Sequence, residues 1–337
     1  MRKIIYSLCI ICFIAILPAN GAYAADMAYS VKANLPENQR NNEHTYFDLF
    51  MQPKQKQTIS ITFENHSENP IELEVNYHAA QTNDNGVIDY KGTKEKKDSS
   101  LAYDLKELIT GDQTIKLNSK EKKEVPYTIT MPEQKFEGIL LGGFHIHKKD
   151  KEASTNQKVQ IKNDYSYVVG LQLTETEKKV TPELKLNTVE PGLNNYRTTL
   201  FANLQNTAAT MITDMTVTAE VYKENGTEVL HKTVKNNQSM APNSNYNFPI
   251  SWDNQAFQSG KYTLKLNAID KTGHKWSFNK EFEIKDNVKK HNEEAVNIKD
   301  QTNKNDYVIY VLVFVLIFTV GIIIYFLWKI NRKKGRH

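Results

Sequence analysis

Apolar and polar residues alternate along most of this chain. Gln57-Thr58-Ile59-Ser60-Ile61-Thr62-Phe63 places Ile59, Ile61 and Phe63 on one face, and Ile71, Leu73, Val75 and Tyr77 repeat the pattern after the turn Asn65-His66-Ser67-Glu68-Asn69-Pro70. A period of two with charges between is that of half-buried strands. Val125, Tyr127, Ile129 and Met131 form another such run, closed by Pro132. The segments 138–144 and 165–173 read as strands able to pair with each other, and seven more runs follow at 183–189, 196–204, 215–222, 228–234, 246–250, 261–269 and 275–284. Asn225-Gly226, between two of these, predicts a type I′ hairpin with positive φ at both central residues. Helical spacing is confined to 100–109, where Leu101, Leu105, Leu108 and Ile109 share a face and predict a short connector helix.

Strands at this spacing predict an all-β fold of two immunoglobulin-like β-sandwich domains in tandem, favoured over a barrel. The two ends of the chain break the pattern. Met1-Arg2-Lys3 precedes an apolar run from Ile4 to Leu17, then Pro18 and the small-x-small triplet Ala22-Tyr23-Ala24, which predicts a cleaved signal peptide over 1–24. Near the other end, 307–328 carries no charge and is long enough for a hydrocarbon core of ~30 Å, so a single transmembrane helix is expected. Lys329, Arg332, Lys333, Lys334 and Arg336 follow it, and the positive-inside bias puts this tail, 329–337, in the cytoplasm. No Leu-Pro-x-Thr-Gly motif lies between Ile284 and Tyr307, so retention in the cell membrane is expected rather than transfer to the wall. Within these limits the expected organisation is a first sandwich over 25–158 and a second over 159–285, whose first strands could complete the first domain. A polar stalk follows over 286–306.

Charge and cysteine usage narrow the chemistry. The formal charge of +4 falls to −3 once Arg2, Lys3 and the five tail cations are set aside, which argues against a nucleic-acid partner. The only two cysteines, Cys9 and Cys12, lie in the expected signal peptide, so neither a disulfide nor a thiolate metal site is expected in the mature chain. His145-Ile146-His147 puts two imidazoles on one strand face; a solvated pair is the simpler reading than a metal site lacking its third ligand. Asn83-Asp84-Asn85-Gly86 reads as a β-turn rather than a calcium loop, because the wider ligand spacing and terminal Glu are missing. No catalytic residue, cofactor site or metal site is assigned. Tyr165, Tyr167, Tyr246, Trp252 and Trp276 would suit sugar stacking if exposed, with core packing as their default place.

Several short segments, taken in order, resemble the WxL-interacting protein family of Gram-positive bacteria. In the first half they are Leu35-Pro36-Glu37-Asn38-Gln39, Tyr46-Phe47-Asp48-Leu49, Asn65, Ala80-Gln81-Thr82-Asn83-Asp84-Asn85-Gly86 and Gly138-Ile139-Leu140-Leu141-Gly142-Gly143. In the second they are Asn163–Gly170, Leu204-Gln205-Asn206, Met240-Ala241-Pro242-Asn243-Ser244 and Gly260-Lys261-Tyr262. Pro53-Lys54-Gln55 departs from the Pro-Gly-Gln expected there, and a lysine argues against an obligatory positive φ. The resemblance implies a non-catalytic, membrane-tethered surface protein that binds peptidoglycan through its first domain and host matrix proteins through its second, and that holds WxL-domain surface proteins. Gln81, Thr82, Asn83 and Asn85 are then candidate peptidoglycan or partner contacts. The alternatives are a membrane-anchored carbohydrate-active enzyme of the cell wall and a chaperone-like donor of a sheet edge to secreted surface proteins.

Overall fold

A computed structural model describes residues 28–92, 97–149, 165–296, 298 and 314–319. Its strands alternate buried and exposed side chains as the pattern requires, and the described fold is all-β. By contact it forms two compact units. The first takes the described residues to Lys185 with Gln205–Thr213 and Ser239–Tyr246; the second takes Leu186–Leu204, Asp214–Gln238 and the described residues from Asn247 onward.

The first unit is built on β1 (Tyr29–Asn34), β2 (Phe47–Phe50), β3 (Lys56–Asn65), β4 (Ile71–Ala79), β5 (Gln81–Thr82) and β6 (Ile88–Asp89). Helix α1 (Leu105–Leu108) then leads into β7 (Ile109–Gly111), β8 (Thr114–Leu117), β9 (Lys122–Thr130), β10 (Ile139–Lys148) and β11 (Ser166–Thr174). One sheet has the order β1-β3-β9-β7, the other β2-β11-β10-β4-β8, and β5-β6 is a separate ribbon. Ile59, Ile61 and Phe63 of β3 and Val125, Tyr127 and Ile129 of β9 share one hydrophobic cluster with Leu73, Val75 and Tyr77 of β4 and with Phe144 of β10. The two sheets therefore enclose a single core. Its centre is aromatic: Phe144 lies 4.8 Å from Tyr127 and 5.9 Å from Tyr77, ring centroid to centroid. Each such side chain contributes about 1.5–3 kcal/mol by leaving water. In place of a disulfide, burial holds the sheets together.

The second half supplies β12 (Leu184–Asn194), β13 (Arg197–Asn206), β14 (Ile212–Lys223), β15 (Val229–Met240), β16 (Ser244–Ser251), β17 (Gly260–Ile269) and β18 (Lys275–Ile284). These form sheets of order β12-β13-β16 and β15-β14-β17-β18. A 3₁₀ turn (Asp286–Val288) and α2 (Lys289–Glu294) follow. Asn292 accepts from the Phe257 backbone N–H at 2.8 Å and donates back to its carbonyl at 3.0 Å, while Val288 is buried. The opening of the expected stalk is thus docked on the second unit, because its few apolar and amide groups find partners there.

Three local expectations need correction. The connector helix shrinks to Leu105–Leu108, capped by Asp104, because Ile109 already starts a strand. In the hairpin between β14 and β15, only Asn225 has positive φ (57°); residues 224–228 separate the strands, so the turn is not type I′. Lys54 does adopt positive φ (63°), placing its N–H 2.9 Å from the Pro132 carbonyl. β1 and β2, too short or too irregular to be read from alternation, are real strands.

The expected signal peptide (1–24) and the basic tail (329–337) lie outside the described residues. Of the expected membrane span, 314–319 are described, as α-helix. Among the described residues no helix is long and apolar enough to cross a membrane.

Candidate functional site

The first unit carries an open cleft of about 880 Å³ beside β1 and β11, roofed by the 42–46 loop. Its wall is aromatic. His44 stacks on Tyr46 with centroids 4.5 Å apart and planes inclined by 17°, and Tyr90 and Tyr167 line the same space. Asn42, Glu43 and Gln172 add polar groups at its margin.

Side-chain hydrogen bonds brace the segments that carry Tyr46 and Tyr167. Gln39, buried, donates to the Tyr46 carbonyl (2.8 Å) and accepts from the Asp48 N–H (3.1 Å), which braces the loop that carries Tyr46. Asp48 in turn accepts from Gln172 at 3.0 Å and lies 3.5 Å from His44 Nδ1. Tyr167 donates to the Tyr29 carbonyl at 3.2 Å and meets the Tyr29 ring edge-on at 5.2 Å. Two strand glycines make the room: a Cβ on Gly170 would lie 3.3 Å from Tyr46 Cβ, and one on Gly143 would lie 3.2 Å from the Tyr90 ring. A glycine inside a strand often marks such a close approach. Burial, then the Asp48 charge, pushes the Tyr46 hydroxyl above its usual pKa. Burial, then Tyr46, does the same at Tyr90. Both rings therefore stay neutral at physiological pH, as hydrogen-bond donors with a stacking face.

The four residues singled out in the sequence lie on the β5-β6 ribbon rather than in the cleft. Thr82 is buried, its hydroxyl 2.6 Å from Ser244 Oγ and accepting from the Ala241 N–H at 3.0 Å. Asn83 Oδ1 accepts from the backbone of Asn85 (3.0 Å) and Val87 (3.2 Å), and Gly86 N–H closes the β-turn on the Asn83 carbonyl (2.9 Å). Asn85 is exposed at the tip, and Gln81 is half-exposed beside a polar cavity of about 160 Å³. The ribbon does reach the cleft by another route, since Ile88 and Tyr90 pack on Ala80, Leu141 and Ala241. Alternation alone does not reveal which tyrosines converge; Gly143 and Gly170, glycines within strands, were the one available signal.

Other expected features fall outside this site. His145 and His147 lie 5.4 Å apart, with His147 Nε2 3.3 Å from Glu74, and no group of three metal ligands occurs among the described residues. Asn65, buried, serves its own loop: it donates to the carbonyls of Asn69 (2.8 Å) and Asn118 (2.7 Å) and accepts from Ser67. Trp252 and Tyr246 are core residues.

An open cleft walled by tyrosine and histidine rings, with amide and carboxylate groups at its margin, has the build of a binding surface. Family profiles then place it more closely: residues 29–148 match the peptidoglycan-binding domain of WxL Interacting Protein, and residues 156–293 its host-binding domain. The chain belongs to the WxL-interacting protein family. No curated protein matches it. Among solved structures it is similar to the E. coli chaperone DraB, with 12% identity and a TM-score of 0.30 over 76% of this chain and 95% of that one. It is also similar to the PapD-like domain 7 of human CEP192, with 10% identity and a TM-score of 0.27 over 45% of this chain and 87% of that one. At these scores the likenesses decide nothing.

Proposed function

We propose that this protein is a non-catalytic, membrane-tethered surface binder that takes peptidoglycan in the aromatic cleft of its first unit and holds WxL-domain proteins at the wall. The observation that carries the reading is the cleft itself. Amphipathic tyrosine faces with amide and carboxylate groups at the margin suit a polymer of sugar rings and short peptides. Of the residues lining it, Glu43 alone is a carboxylate, which supports binding over the two-carboxylate chemistry of glycoside cleavage. On this reading the two units are immunoglobulin-like sandwiches, the second contacts host matrix proteins, and the uncharged segment 307–328 anchors the chain with its N-terminal side outside. Asn85 at the ribbon tip and Gln81 beside it are partner contacts, while Thr82 and Asn83 hold the ribbon in shape. Incubating the full chain with purified peptidoglycan tests the proposal: retention without released fragments is expected. Soluble fragments appearing with time would favour an enzyme, and absence of retention would end the glycan reading.

A further inference from the structure

β18 is the margin of its sheet. It pairs with β17 through ten unbroken residue pairs, from Gly260↔Ile284 to Ile269↔Lys275, and among the described residues no strand lies on its other side. In an antiparallel ladder, successive residues turn their N–H and C=O alternately toward the two neighbours. Asp270 N–H donates to the His274 carbonyl at 3.1 Å in continuation of this register, so the even-numbered residues of β18 face β17. Lys275, Ser277, Asn279, Glu281 and Glu283 therefore turn their backbone groups outward, where the described residues offer no partner.

The side chains sharpen the picture. Trp276, Phe278, Lys280 and Phe282 lie on the same face as the buried Ala268, Leu266, Leu264 and Tyr262, yet are only half-buried themselves. Lys275, Lys280, Glu281 and Glu283 make no ion pair among the described residues. A lysine in the inward row guards an edge against indiscriminate pairing, because most registers would press it against apolar or like-charged groups.

We propose that β18 pairs antiparallel with β18 of a second copy of this chain, about a two-fold axis through Asn279. A two-fold makes every contact twice. In this register Lys275 faces the second copy's Glu283, Ser277 its Glu281, and Asn279 its own counterpart. On the inward row Trp276 meets Phe282, and Lys280 lies over Phe278, where a ring face attracts a cation. Moving the axis to Lys280 sets the two lysines together, and moving it to Glu281 sets two carboxylates together. An axis at Phe278 leaves Glu283 without its lysine and shortens the ladder. The register through Asn279 pairs residues 275–283 of the two strands and is independent of the cleft.

Disulfide trapping tests it. In the full-length chain in detergent, with Cys9 and Cys12 changed to Ser, an introduced cysteine is the only thiol. Asn279→Cys should form a covalent dimer on mild oxidation, because directly opposed residues are ~5.5 Å apart between Cα atoms, within disulfide reach. Ser277→Cys or Glu281→Cys alone should not, each being displaced from its own counterpart by ~13 Å along the strand, whereas a mixture of the two should cross-link. In the Asn279→Cys background, Lys275→Glu or Glu283→Lys should lower the yield about 3- to 10-fold, and the two together should restore it. No cross-link at 279, equal cross-linking at all three positions, or indifference to charge reversal would overturn the proposal.

Discussion

Lys54 holds φ at 63°, a region where a Cβ crowds the following carbonyl and glycine does not. The lysine persists because the turn it forms seats its N–H on Pro132, and its side chain is exposed. Lys54→Gly should raise stability by about 0.5–1 kcal/mol, read as a higher denaturant midpoint; a lower midpoint would show that the lysine side chain matters more than its backbone strain. His145 makes a prediction with the opposite sense. Burial, then the neighbouring His147 and Lys91, pushes its pKa below the ordinary 6.5, against a smaller upward pull from Asp89 and with His78 also nearby. The unfolded chain takes up the proton first, so stability present above about pH 6.5 is lost as pH falls from there to the depressed folded value. The denaturant midpoint should drop between pH 7.5 and 5.5, and His145→Gln should reduce that drop; an unchanged slope in the variant would contradict the assignment. His78, lowered chiefly by burial, adds to the same trend.

At the scale of elements, the long strands were legible because alternation over nine or ten residues leaves one face apolar, as in β3, β4 and β9. β1 and β2 were not, being held by neighbours more than by their own pattern: β2 pairs in parallel with only four residues of β11. Turn chemistry was legible at Asn83–Gly86 and misread at Asn225-Gly226, where a longer connection removed the need for a second positive φ. The cleft was hidden because alternation marks which side chains face inward, while the convergence of Tyr46, Tyr90 and Tyr167 depends on which strands adjoin. Asn65 illustrates a motif residue whose role is architectural. Asn65→Ala would leave Ser67, Asn69 and Asn118 backbone groups without their partner, at a cost of at least about 2 kcal/mol. A loss measured by chemical denaturation well below that would mean water replaces the amide.

At the scale of the whole molecule, the proposed function comes down to one claim, that peptidoglycan binds at the aromatic cleft of the first unit. The most direct test is a binding isotherm of the full chain on purified peptidoglycan, comparing Tyr46→Ala with Tyr196→Ala, an exposed tyrosine of the second unit. Loss of one stacking ring should weaken binding about tenfold at Tyr46, in protein that circular dichroism shows still folded at the assay temperature, and leave binding intact at Tyr196. Undiminished binding by Tyr46→Ala, or equal losses in both variants, would contradict the account.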